Sequence, residues 1–117
     1  MSEDTAIPPQ LQEQLQRLQQ LQQTMQAVVT QRQQLELENS EIDRALSELE
    51  KLAEDAPVYK SIGSILVKSS KTQVITDLQE RKTLYTTRVT ILQRQQTRAD
   101  ERIKELQQSI QARLKTP

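Results

Sequence analysis

The chain has 117 residues, of which 34% are hydrophobic, with two Tyr, no Phe, no Trp and a single Gly. That is too few large apolar side chains for an ordinary globular core of this length, whereas paired long helices need only one apolar seam each and can be Gln-rich and charged elsewhere. The 16 basic and 16 acidic residues cancel, which removes the electrostatic footprint of a nucleic-acid binder, and no apolar run is long enough to span a bilayer. Met1 to Gln10 lacks the basic and apolar regions of a signal peptide. The expectation is a soluble cytoplasmic protein without nucleic acid or membrane as partner, and the absence of cysteine accords with that compartment.

In chain order, Pro8 and Pro9 stand where proline is tolerated at a helix start, and Asp55, Ala56 and Pro57 close the periodic stretch that follows. A helix over 9–54 is predicted. Within it one row runs through Leu11, Leu18, Met25, Arg32, Asn39, Leu46 and Ala53, and a second through Leu21, Val28, Leu35, Ile42 and Leu49. Both rows repeat every seven residues and interleave by three and four, the signature of a coiled coil.

Next comes the one segment with strand character, Val58-Tyr59-Lys60-Ser61-Ile62, then Gly63, then Ser64-Ile65-Leu66-Val67-Lys68. It reads as a β-hairpin over 58–68 turning at the sole glycine. A two-stranded hairpin is marginal alone in water, and this one carries Ile65, Leu66 and Val67 in a row with no domain to cover them. Pairing with the edges of other chains, in a closed sheet or small barrel, is the expected outcome; the plainer alternative is a decorated loop at the end of a coiled coil.

Ser70 with Gln73 three residues on has the form of a capping box and opens a predicted second helix over 71–115. Its rows are Ile75, Lys82, Val89, Gln96, Ile103 and Ile110, and Leu78, Tyr85, Leu92, Ala99 and Leu106. Paired antiparallel, Leu18 faces Ile110, Met25 faces Ile103, Leu46 faces Lys82 and Leu49 faces Leu78, so that facing numbers add to 127 or 128 throughout. The two segments thus mirror each other about Gly63 and Ser64. Arg32 falls opposite Gln96, which matches a polar position to a polar position and favours an intrachain hairpin of helices, each about 68 Å long, over two parallel chains. The fold class is therefore all-α dominated: one domain over 1–117, a long antiparallel two-helix coiled coil with a small β-hairpin at the fold-back.

Chemistry is not expected. Without His or Cys the chain lacks the commonest general base, the usual zinc ligands and a thiol nucleophile, and Glu36, Glu38, Glu41 and Asp43 lie on a helix flank where charge runs are solvated. The glycine lies between two strands, so no phosphate loop exists, and neither cofactor nor metal is anticipated. Arg32, Asn39, Lys82 and Gln96 interrupt the seam as residues that fix register, their longer side chains reaching water. Near the chain ends, Leu11, Leu15, Leu18, Leu21 and Met25 with Ile103, Leu106, Ile110 and Leu114 supply more apolar side chains than two rows need, Leu15 and Leu114 lying outside them. A flexible apolar groove of Leu and Met there suits promiscuous binding.

The stretch Pro57-Val58-Tyr59-Lys60-x-x-Gly63-x-x-Leu66-Val67, followed by Val74-x-x-x-Leu78-x-x-Arg81, resembles the hairpin and following helix of the β-class subunit of prefoldin, closest in layout to the archaeal form. The likeness covers essentially the whole chain. It implies a subunit of an ATP-independent molecular chaperone that holds unfolded proteins at coiled-coil tips and passes them to a group II chaperonin, in a hexamer of two α-class and four β-class subunits joined through a double β-barrel platform. Val58, Tyr59, Ile62, Gly63, Ile65, Leu66 and Val67 would then form the platform, and the nine apolar residues near the chain ends the client groove. A structural coiled-coil scaffold or spacer with a defined partner and no affinity for unfolded chains is the alternative.

Overall fold

The computed structural model describes residues 7–115. Its elements are α1 (Pro9–Glu50), β1 (Val58–Ile62), β2 (Ile65–Ser69) and α2 (Lys71–Lys115). They divide into two compact units, a terminal unit of residues 7–31 with 91–115 and a hairpin unit of Arg32–Thr90.

Helix α1 starts at the second proline, whose fixed φ suits the first helical position and whose missing N–H would have had no partner there. The Pro8 carbonyl accepts from the Gln12 amide at 3.0 Å and opens the ladder. The helix stops at Glu50, short of the residue 54 expected from the stop signal at Asp55, Ala56 and Pro57. The reason lies in the last turn: the amides of Lys51 and Leu52 bond three residues back, to Glu48 and Leu49, at 3.2 and 3.1 Å, which tightens the helix and ends it. The Leu52 carbonyl so released accepts from Lys71 Nζ at 2.9 Å, at the head of α2. Ala53, the last member of the first row, is consequently exposed beyond the helix end.

Helix α2 begins where Ser70 Oγ accepts from the Gln73 amide at 3.1 Å, an N-cap. Only half of the capping box forms, because the Gln73 side chain turns forward to Asp77 Oδ1 at 2.9 Å. At the other end Arg113 and Lys115 lie in the last turn, where cations complement the helix dipole.

In the terminal unit the helices run antiparallel: Gln14 Nε2 donates to Ser109 Oγ at 2.9 Å, and Arg113 donates to Gln10 at 2.7 Å. Leu11, Val28, Ala99, Ile103 and Ile110 are buried there, with Leu18, Leu21, Met25, Leu92, Gln96 and Leu106 half-buried. The hairpin unit repeats the arrangement, with Ile42 and Leu49 buried and Leu35, Leu46, Ile75, Leu78, Tyr85 and Val89 half-buried. Its polar seam residues are partnered. Asn39 Nδ2 donates to Thr86 Oγ1 at 3.2 Å, Lys82 Nζ pairs with Asp43, and Arg32 pairs with Glu36 at 2.9 Å. Apart from Ala53, every position of the four seam rows is thus withdrawn from water to some degree.

Candidate interaction surfaces

The antiparallel strands β1 and β2 pair Val58 with Ser69, Tyr59 with Lys68, Lys60 with Val67, Ser61 with Leu66, and Ile62 with Ile65. Gly63 and Ser64 form the two-residue turn. Gly63 has φ 58° and no described non-glycine residue has positive φ, so only the first central position is left-handed, the type II′ pattern whose twist matches a hairpin. Because side chains alternate across a strand, Val58, Lys60, Ile62, Ile65, Val67 and Ser69 share one face, and Tyr59, Ser61, Leu66 and Lys68 the other. Val58, Lys60 and Ser69 are half-buried at the helix end of the first face. The remaining apolar side chains stand in water on both faces: Tyr59, Ile62 and Ile65 are more than half exposed, and Leu66 is 71% exposed. Two strands cannot bury this surface between themselves, and both outer edges keep unpaired backbone groups.

Lys60 Nζ reaches Asp77 Oδ2 at 2.8 Å and ties β1 to the second turn of α2. This hydrogen bond is the chief cause that holds the Asp77 carboxyl below its ordinary pKa; the Gln73 hydrogen bond adds to it, and the Lys60 and Arg81 charges contribute less.

The second surface belongs to the terminal unit. Leu21 and Leu106 floor an open groove of about 590 Å³, walled by Arg17, Gln20 and Thr24 from α1 and by Arg102, Glu105 and Ser109 from α2. A neighbouring hollow of about 470 Å³ lies against Pro8, Leu11, Ser109, Ala112 and Arg113. Of the nine apolar residues expected to make a groove near the chain ends, the structure separates two kinds. Leu11, Ile103 and Ile110 are buried and Leu18, Leu21, Met25 and Leu106 half-buried, closing the seam and lining its hollows. Leu15, 40% exposed, and Leu114, 67% exposed, face water outright. A passing apolar segment could cover these two without any movement of the helices.

Among the described residues no three His, Cys, Asp or Glu are grouped to hold a metal ion, and no helix is long and apolar enough to cross a membrane. Pattern reading did not find Lys60 and Asp77, whose 17-residue separation no helical or strand period connects. It also passed over Leu37, Leu84 and Ile91, about half exposed and outside the rows.

A model of the family described as prefoldin subunit matches residues 12–116. The chain is 48% identical over 105 residues to the prefoldin subunit beta of Archaeoglobus fulgidus, covering 90% of each chain. To the prefoldin subunit beta of Pyrococcus furiosus it is 40% identical over 111 residues, covering 95% of each. Among solved structures, the prefoldin beta subunit from Thermococcus strain KS-1 superposes with a TM-score of 0.84 at 40% identity, over 96% of this chain and 98% of that one. The prefoldin beta2 subunit from the same strain shares the fold, with a TM-score of 0.70 at 24% identity over 76% of this chain and 95% of that one.

Proposed function

Since this chain belongs to the prefoldin subunit family, a chaperone-type and non-enzymatic family, we propose that it is a β-class subunit of an ATP-independent holding chaperone. It binds non-native proteins with the apolar side chains of the terminal unit, assembles through its β-hairpin with an α-class subunit into a hexamer of two α and four β chains, and hands its clients to a group II chaperonin in the cytoplasm. The observation that carries this reading is apolar exposure in two places of one chain. Leu66 and its neighbours are exposed on strands with free edges, and Leu15 and Leu114 are exposed in the terminal unit. The first supports assembly by strand pairing; the second supports contact with unfolded segments, which present apolar side chains in no fixed order. Leu21 and Leu106 extend the client surface as the groove floor, half-buried Leu18 and Met25 add to it along the seam, and Leu11, Ile103 and Ile110 support it from beneath.

At roughly 25 cal/mol per Å² of apolar surface covered, Leu15 and Leu114 contribute on the order of 1 kcal/mol each to client binding. The test is light scattering while a chemically unfolded, unrelated protein is diluted into the purified complex without nucleotide. Suppressed aggregation is expected, weakened about tenfold in midpoint concentration by L15S with L114S. Undiminished aggregation with the unaltered complex would leave a scaffold with a specific partner. Suppression untouched by both serines, with the complex intact, would move the client surface elsewhere.

A further inference from the structure

We infer that the Lys60–Asp77 ion pair is a positioning element for assembly: it fixes the attitude of the β-hairpin on the first turns of α2 and so sets the direction in which the hairpin meets another chain. The inference rests on the proposed assembly through the hairpin.

Three observations carry it. First, the joint is narrow. β2 ends at Ser69 and α2 begins at Lys71, so a single residue, Ser70, connects them, and the backbone offers two soft dihedrals there about which the sheet can swing. Second, the tie acts away from that joint. Lys60 lies opposite Val67 in the ladder, three residues along the chain from Ser70, which places it about 10 Å from the pivot at the rise of a strand. Third, the receiving carboxylate is itself held. Asp77 takes Lys60 Nζ on Oδ2 at 2.8 Å and Gln73 Nε2 on Oδ1 at 2.9 Å, while the Gln73 amide is bonded to Ser70 Oγ at 3.1 Å. The chain of contacts therefore runs from the middle of β1, through the second turn of α2, back to the residue of the joint. On the other side of the fold-back, Lys71 holds the Leu52 carbonyl at 2.9 Å and lies 3.7 Å from Glu54, fixing the segment that leads into β1.

A stability role alone does not account for the pair. Its side chains are 42% and 30% exposed, and ion pairs so placed contribute little to folding. Orientation matters more in assembly, because a hairpin that swings freely must be ordered at the moment its edge pairs, and that cost recurs in every subunit. Lys60 also lies on the face shared by Ile62, Ile65 and Val67, so the contact that aims the hairpin determines how the other face, with Tyr59 and Leu66, is presented. Arg81, one turn beyond Asp77, is the other cation near this carboxylate, yet it belongs to α2 itself and cannot restrain the sheet.

The test is native mass spectrometry of the complex reconstituted from the full chain and its α-class partner, across a dilution series, with circular dichroism on each sample. D77N and K60M should each raise the concentration of half-assembly about tenfold while the helical signal stays at the unaltered value, and K60R, which keeps the charge and the donor, should return it to within about threefold. K60M alters one strand side chain and leaves α2 intact, so it decides the question even if D77N disturbs the helix start. Half-assembly unmoved by K60M, or lost equally in K60M and K60R, would overturn the positioning role. I65D with L66D serves as the parallel control: an unchanged native mass there would overturn assembly through the hairpin, and this inference with it, whereas dissociation there beside an unmoved K60M would overturn this inference alone.

Discussion

Two hydrogen bonds converge on one carboxylate at Asp77, and their effect on its titration has a definite sign. The Lys60 hydrogen bond first, then that of Gln73, favour the charged form and hold the folded pKa below the unfolded one. Stabilisation from a depressed carboxylate is present above the unfolded value and lost as pH falls through the folded value. The groups around Asp77 are Lys60 from β1 and Gln73 and Arg81 from α2. The tie of hairpin to helix should therefore hold unchanged from neutrality down to pH 5 and release only on the acid side of the ordinary aspartate value of about 3.9. A carbon-13 titration of the Asp77 carboxyl by NMR checks it. In K60M the midpoint should rise toward the ordinary value; an unmoved midpoint would mean that Lys60 does not reach the carboxylate in solution.

Among the elements, the β-hairpin depends on Gly63 for its backbone and on nothing for its space. A Cβ at that position would meet no atom within 4 Å, so the cost of a side chain comes from φ at 58° alone. G63A should destabilise the hairpin by about 1 kcal/mol, read as a roughly fivefold faster amide hydrogen exchange in β1 and β2, and G63N by less, since Asn tolerates the left-handed region. Equal exchange in all three proteins would mean the turn has another conformation. The turn was legible in the sequence because a sole glycine between two β-branched runs leaves few choices, and the seam rows were legible because a period of seven survives interruption by Arg32, Asn39, Lys82 and Gln96. Two features were hidden for the same physical reason. The end of α1 at Glu50 depends on tightened bonds in its last turn and on the ammonium of Lys71, remote in sequence, while Ala53 keeps the heptad period past the true end. The Lys60–Asp77 contact needs the hairpin already folded against α2. Periodicity reports which face is buried; it is silent on which polar ends meet. The sequence groups nine apolar residues near the chain ends without ranking them, and only the packing separates exposed Leu15 and Leu114 from buried Leu11, Ile103 and Ile110, since the same residue type occupies both roles.

For the whole molecule, the magnitudes decide whether one chain could act alone. Two leucine side chains fully covered by a client contribute at most about 3–6 kcal/mol, and association costs at least about 4 kcal/mol in lost freedom. On the proposed reading, those two leucines alone would let a single terminal unit hold an unfolded segment barely or not at all. Charge cannot supply the difference, because the 16 basic and 16 acidic residues cancel and an unfolded client brings no fixed sign of its own. In the proposed assembly, joining several chains would change the outcome without any new contact: once one terminal unit is engaged, the others would bind the same client at an effective concentration set by the assembly. I65D with L66D should yield unassembled chains that remain helical and keep Leu15 and Leu114 exposed. At equal chain concentration their midpoint for suppressing aggregation should lie about a hundredfold higher than that of the assembled complex. Raising salt should leave the assembled complex's midpoint unchanged or lower it, since apolar burial is not weakened by screening. If the unassembled chains suppressed aggregation as well as the complex, one terminal unit would be sufficient, and the purpose of assembly through the hairpin would have to be sought in delivery of the client rather than in its capture.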